Sequence, residues 1–431
     1  MKWAYYSSMF MLGFRGIEFK GIKIADIFLL FLFLTLLYRV LYKREELRWN
    51  KTFSFLYFLV LFSVLISLLK VDNFTYAKLD PFRYLLVGAF AFSTIHFIEG
   101  KDKVVNTLRV LVIAGIIAAI LSLVVFSLWM TGYEGVEPLL HHIETGEAEG
   151  RVQPLFYDPN HYGGFLILPL FALTYFLLHS MNRGDSRQTT ALFFGLCLVG
   201  AALVTTGSRS ALGSVVVGWI AIMAVLWANR LLSDKFLRSK FKGEVGKTLL
   251  LILLIGILIS FWVGYSNLSD MIAIERKSRY GTAEQGFDTR LQLWRASIFA
   301  FRKNPFIGTG TSDFINEYPE IAKKQGLDLD VKNFPHNSYL DLLAEMGLLG
   351  FLSGFGLLLY VYLKSYQIML VYSDSILAAI LFSLLVAQSA HMFFLSMFHA
   401  RRLWIVFALV VGTGTLIGNS TSKLKFRLRG G

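Results

Sequence analysis

Long apolar runs alternate with short charged connectors along almost the whole chain. The runs lie at 22–40, 52–69, 84–98, 104–130, 161–179, 191–206, 211–227, 248–265, 348–363, 375–397 and 403–418. A hydrocarbon core is crossed by roughly 17 to 25 apolar residues in a helix. Backbone groups that face lipid must pair within their own segment, so each run is predicted to be helical. The pattern therefore predicts an all-α, polytopic membrane helix bundle with about 11 to 12 transmembrane helices. Residues 3–14 are short for a crossing; they read either as a tilted twelfth span or as a helix at the interface. We take the twelve-span reading. Residues 1–431 then form a single integral-membrane domain, with one long loop, 266–339, inserted between spans.

Charge gives the orientation. Short connectors with excess lysine and arginine stay on the cytoplasmic side. One alternate set carries that excess: Lys43, Arg44, Arg48 and Lys51; Lys101, Lys103 and Arg109; Arg183 and Arg187; and the cluster from Arg230 to Lys247. The tail "KLKFRLR" falls on the same side, so both termini are expected in the cytoplasm. On the opposite face lie the acidic loop "GYEGVEPLLHHIETGEAEG", the tight turn "TGSRSA" and the long loop, which its length exempts from the rule.

Composition agrees. Hydrophobic residues make up 55% of the chain and charged ones 16%, with a mean hydropathy of +0.57, outside the soluble range. The net charge of +13 reflects topology, and no nucleic-acid partner is expected. Cys197 stands alone in the chain, which excludes an internal disulfide or a cysteine-ligated metal. The N-terminal stretch lacks a small-residue cleavage site and is not read as a cleaved signal.

Three features of the outer face point to chemistry. In "TTGSRSALGS", Arg209 sits in a minimal turn between two apolar helices. An arginine there either snorkels to headgroups or faces an aqueous cavity and an anion. Gly207, Ser208 and Ser210, at the start of the next helix, add donors suited to an anion. In "FDTRLQLWRASIFAFRKNPFIGTG", Leu291, Trp294, Ile298 and Phe301 mark an amphipathic helix that Asp288 and Thr289 open and Arg290 begins. The "NPFIGTG" that follows lets backbone approach a ligand closely, but it is not a P-loop. In "NFPHNSYLDLLAEMGLLG", His336 precedes a helix that Asn337 or Ser338 caps. Histidine suits proton transfer near neutrality, although a capping or packing role is equally consistent with one residue; Asp341 or Glu345 is placed to orient it. The adjacent His141 and His142 lack ligand spacing on a helix, so no metal site is expected. His391 and His399 read as buried, hydrogen-bonded residues in preference to lining the cavity, and Arg401 and Arg402 as snorkelling in preference to touching lipid phosphate.

The order and spacing of "FYDPNHYGGFLILPL", "SRSA", R-x-x-x-W, "NPFIGTG" and "HNSYLDLLAEMGLLG" resemble the O-antigen ligase and polymerase superfamily of bacterial inner-membrane proteins over most of the chain. The resemblance implies transfer of a glycan from undecaprenyl diphosphate to an acceptor hydroxyl at the periplasmic face, with no cofactor and no metal. The small-turn arginine of the family maps to Arg209, its loop arginine to Arg290 and its histidine to His336. Arg151, Asn160, Ser208, Ser210 and Asn337 are the expected substrate-binding residues. The expected partners are the carrier-linked donor, a glycolipid (lipid A-core) or second glycan acceptor, and membrane lipids. A ligase is the leading reading and a polymerase its nearest rival. A polysaccharide or lipid transporter is disfavoured, because no internal repeat is visible and the unusual charges gather at one face.

Overall fold

The computed structural model describes residues 1–14, 18–19, 22–71, 74–142, 148–154, 156–232, 282–327, 333–371 and 374–429. In chain order the helices are α1 (Lys2–Met11), α2 (Ile24–Leu41), α3 (Lys51–Ser67), α4 (Phe74–Ala77), α5 (Asp80–Phe97), α6 (Lys101–Met130) and α7 (Pro159–Arg183). They continue with α8 (Ser186–Thr205), α9 (Arg209–Leu232), α10 (Thr282–Lys303), α11 (Phe314–Gln325), α12 (Ser338–Val371), α13 (Ser375–Met392) and α14 (Arg401–Arg429). Two antiparallel ribbons pair β1 (Glu18–Phe19) with β2 (Ile22–Lys23) and β3 (Leu140–His142) with β4 (Ala148–Val152).

Short polar side chains set where these helices begin. Asn50, Asp158, Asp185 and Asp374 accept backbone N–H groups at the starts of α3, α7, α8 and α13. Asn337 does the same for α12, accepting from Tyr339 N and Leu340 N at 3.0 and 3.2 Å. Among the described residues, eight helices are long and apolar enough to cross a membrane: α2, α3 with its 3₁₀ extension to Lys70, α6, α7, α8, α9, α12 and α13. The expected spans 84–98 and 403–418 fall in helices α5 and α14, and 248–265 lies outside the described residues. The all-α polytopic bundle stands.

Ten-residue α1 covers only about 15 Å, half the hydrocarbon thickness. A 3₁₀ turn at Leu12–Phe14 prolongs it. Met1 Sδ accepts from Arg39 Nη1, Ser8 donates to the Phe28 carbonyl, and Leu12 lies with Ala25 beside Arg401. The segment therefore runs antiparallel to α2, from its Arg39 end to its Asp26 end.

α7 and the first half of α14 form the centre of the bundle. Leu166, Ile167 and Leu168, and likewise Leu403, Trp404 and Ile405, are fully buried, so these helices meet protein on every side. At Gly115 the absence of a side chain lets α6 close on Pro169 of α7, since a Cβ there would lie 2.2 Å from the proline ring.

Helix α12 is 34 residues, about 51 Å, longer than a crossing needs. It is broken at Gly347, where φ is 63° and ψ is −157°. The "NPFIGTG" segment repairs the break. Leu348 N donates to Pro305 O at 2.7 Å and Leu349 N to Phe306 O at 3.2 Å, while Thr309 N and Gly310 N donate to Ala344 O and Glu345 O at 2.9 and 3.0 Å. Cβ atoms at Gly308 and Gly347 would meet the opposing backbone at 2.2 and 2.5 Å. The glycines thus admit the chain's own helix, where the sequence suggested a ligand.

Candidate active site

The first turn of α7 is the floor of the site. Asp158 Oδ1 accepts from Asn160 N and His161 N at 2.7 and 2.9 Å, which fixes both side chains at the helix mouth. The end of α6 packs Val125, Phe126 and Trp129 against Val136, Leu140 and Val152, and so carries the β3–β4 ribbon. From β4, Arg151 Nη2 donates to Asn160 Oδ1 at 3.1 Å and Nε to the Thr206 carbonyl at 3.0 Å. Gly207, with φ at 60°, leaves room for it: a Cβ would stand 3.1 Å from Arg151 Nε.

The small turn comes next. Ser208 is fully buried, its N–H donates to Thr206 Oγ1 at 3.1 Å, and its hydroxyl lies 3.3 Å from that of Ser210. These contacts hold the first residue of α9, Arg209, at the exposed mouth of the helix.

Arg290 enters from α10. The helix starts at Thr282, earlier than the expected start at Asp288, and Arg290 therefore lies in its third turn instead of at its beginning. Ala283, Glu284 and Gln285 favour helix and carry it back past Asp288. The buried stripe is also rotated from the expected one: Leu293, Ala296, Ser297 and Ala300 are fully buried, whereas Ile298 is exposed. The small residues allow close packing on Phe314, Tyr318 and Ile321 of α11 and on Ala344. The guanidinium of Arg290 lies 5.9 Å from the Phe394 ring centroid. Its pKa is lowered by burial first, and then by the charges of Arg209 and Arg151.

His336 stands directly before α12 with a left-handed φ of 50°, a conformation histidine adopts more readily than most residues. Pro335 precedes it, the Asn337 cap follows, and Ser338 Oγ donates to Leu395 O at 2.7 Å and accepts from Met397 N at 2.9 Å. The imidazole pKa is lowered by burial, then by Arg290, and is partly restored by Asp158. That carboxylate was expected to be Asp341 or Glu345. Glu345 Oε2 instead accepts from Ser312 N at 2.8 Å, and Asp341 lies beside Asp80, whose Oδ2 takes the hydroxyls of Thr311 and Ser312 at 2.6 Å. These acids anchor the loop beneath the site.

Arg290 therefore links the expected residues electrostatically: its charge acts on His336, and the charges of Arg209 and Arg151 act on it. Asn160, Ser208 and Ser210 line the same neighbourhood through Arg151 and the small turn. Asn337 is buried, and its carbonyl oxygen is engaged as the cap. Sequence reasoning assigned no role to Asp158 or His161, although "DPNH" carries a helix-start signal that points to both. At the last outer turn the burial of His391 agrees with expectation, while its hydrogen bonding and the direction of the two arginines differ. Arg401 and Arg402 are turned inward, 9% and 4% exposed, and do not snorkel; His391 is fully buried, with neither ring nitrogen hydrogen-bonded. Among the described residues, no group of His, Cys, Asp and Glu side chains is arranged to hold a metal.

A family model described as O-antigen ligase matches residues 193–355, the stretch that contains Arg209, Arg290 and His336. Over these residues the chain is similar to the O-antigen ligase family. No curated protein matches it. The matched family indicates glycosyltransferase-type activity of the ligase or polymerase kind, which in general uses a lipid-linked glycan donor and a glycan or lipid acceptor. Arg151, Asn160 and Arg402 lie outside the matched stretch, so their place beside it comes from the fold alone.

Proposed function

We propose that the protein is an O-antigen ligase-type glycosyltransferase. It moves a glycan from undecaprenyl diphosphate to a hydroxyl of lipid A-core by a metal-independent, inverting displacement. It resides in the bacterial inner membrane with the site facing the periplasm and both termini in the cytoplasm. The observation that supports this reading is that the charges of Arg209 and Arg151 both act on Arg290 and the charge of Arg290 acts on His336. In the reaction, the bond from sugar C1 to the diphosphate oxygen breaks and its electron pair leaves with the carrier. Arg209 and Arg290 stabilise the charge that grows there, with Arg151, Asn160, Ser208, Ser210 and Asn337 binding substrate around them. The acceptor oxygen attacks C1 from the opposite face, and its proton passes to neutral His336. Burial and Arg290 both favour that neutral form in the empty site.

Purified protein in detergent, given carrier-linked glycan and lipid A-core without nucleotide or ion gradient, tests this. Transfer is expected, and His336→Ala is expected to abolish it while leaving the melting temperature unchanged. Full activity in that variant removes the base from the mechanism. Elongation of carrier-linked glycan in the absence of lipid A-core would identify a polymerase instead.

A further inference from the structure

Three acids meet where the outer loop docks on the bundle. Asp80 of α5 is 3% exposed, and its Oδ2 accepts the hydroxyls of Thr311 and Ser312 at 2.6 Å each. Glu345 of α12 is 5% exposed, and its Oε2 accepts from Ser312 N at 2.8 Å. Ser312 thus bonds both carboxyl groups and brings them together. Asp341 stands one turn before Glu345 on the same face of α12, and the charge of Asp80 acts on it. Asp341 Oδ1 and Glu345 Oε1 are buried with no hydrogen-bond partner among the described residues.

The charges around the three acids do not balance. Among the described residues, the cation paired with them is Arg83, 2.7 Å from Asp80 Oδ1, and its side chain is 44% exposed. Tyr84 of α5 also faces the cluster, buried, and the His399 ring lies 6.2 Å from that of Tyr84. Asp313, next in the loop, is buried and accepts from Asn316 Nδ2 at 2.6 Å. Three ionised carboxylates withdrawn from water against one half-exposed guanidinium are strongly disfavoured. A retained proton removes one of the charges and gives an unpartnered oxygen a hydrogen to share.

Thr311 and Ser312 lie between α10, which carries Arg290, and α12, which His336 precedes. We propose that Asp80, Asp341 and Glu345 share a proton and act as positioning residues, holding the 309–313 segment docked and so setting Arg290 and His336 relative to one another. When that proton passes to bulk water, like charges face each other across Ser312 and the segment is released. The effect on transfer rests on the transferase reading above; the proton-dependent docking does not. Opening returns the acids to water, where they ionise at ordinary values of about 3.9 and 4.3. Above that range the docked state holds one proton more than the open state, so docking weakens as pH rises.

Hydrogen exchange of the full-length protein in detergent, corrected for the intrinsic pH dependence of exchange, is read on peptides covering 305–313 from about pH 5 to about pH 9, with α13 as control. Protection of the segment is expected to fall about tenfold per pH unit until the docked cluster itself gives up its proton. Arg83→Gln removes the opposing cation at an exposed position and extends the sloping range to higher pH. The pair Asp341→Asn and Glu345→Gln keeps the acceptor oxygens without the titratable proton, and its protection stays level. Wild-type protection that varies by less than about twofold over the range overturns the proposal, as does a slope shared by α13 or an undiminished slope in the paired variant. In the transfer assay, the alkaline limb of kcat/KM should follow the loss of protection and vanish in the paired variant. An unchanged limb in that variant overturns the positioning role. Absence of transfer by wild type sinks the transferase reading and leaves the exchange result standing.

Discussion

Gly347→Ala probes how the outer loop is held to the bundle. At φ 63° and ψ −157°, an alanine is strained by about 1–3 kcal/mol. Its Cβ would also lie 2.5 Å from the Phe306 carbonyl carbon and 2.6 Å from Ile307 N, both backbone atoms that cannot rotate away. Relief requires the loop to lift, which breaks the bonds from Leu348 N to Pro305 O and from Leu349 N to Phe306 O. At about 0.5–1.5 kcal/mol each, these bring the expected local cost to about 2–6 kcal/mol. Every 1.4 kcal/mol is about tenfold in an opening equilibrium, so amide exchange at the seam should accelerate by about thirtyfold or more. Hydrogen exchange in detergent, read on peptides covering 305–310 and 344–349 with α13 as internal control, measures this. Glycan transfer should fall in parallel, because the seam ties the helix bearing Arg290 to the helix that follows His336. Seam protection within twofold of wild type would refute the argument.

Lysine in place of Arg209 or Arg290 keeps the charge but loses the bidentate fork, so kcat should drop by about tenfold or more with folding intact; wild-type rates in both variants would end the leaving-group assignment. Asp158→Asn retains a capping oxygen for α7 but removes the one carboxylate that raises the His336 pKa. A neutral base is lost as pH falls through its pKa, so the acid limb of kcat/KM, already expected below the ordinary histidine value of about 6.5, should move to still lower pH. A limb that moves upward contradicts that assignment.

The sequence alone determined the elements that depend on local chemistry. Apolar run length set the bundle, because a lipid-facing backbone has no alternative to a helix. Asn337 was legible as a cap because capping involves only the next three residues. Arg209, Arg290 and His336 were singled out by residue type at turns and loop ends. Tertiary structure decided what distant segments do to each other. "AEMGLLG" reads as uninterrupted helix, and only the docked "NPFIGTG" backbone supplies the hydrogen bonds that let Gly347 break it. The inward turn of Arg402 depends on His161, 241 residues away, and on the missing side chain of Gly164. Asp158 displaced Asp341 and Glu345 as the carboxylate acting on His336, because their helical spacing points them toward Asp80 and Ser312. Local sequence specifies which backbone groups need partners; the fold alone specifies which segments provide them.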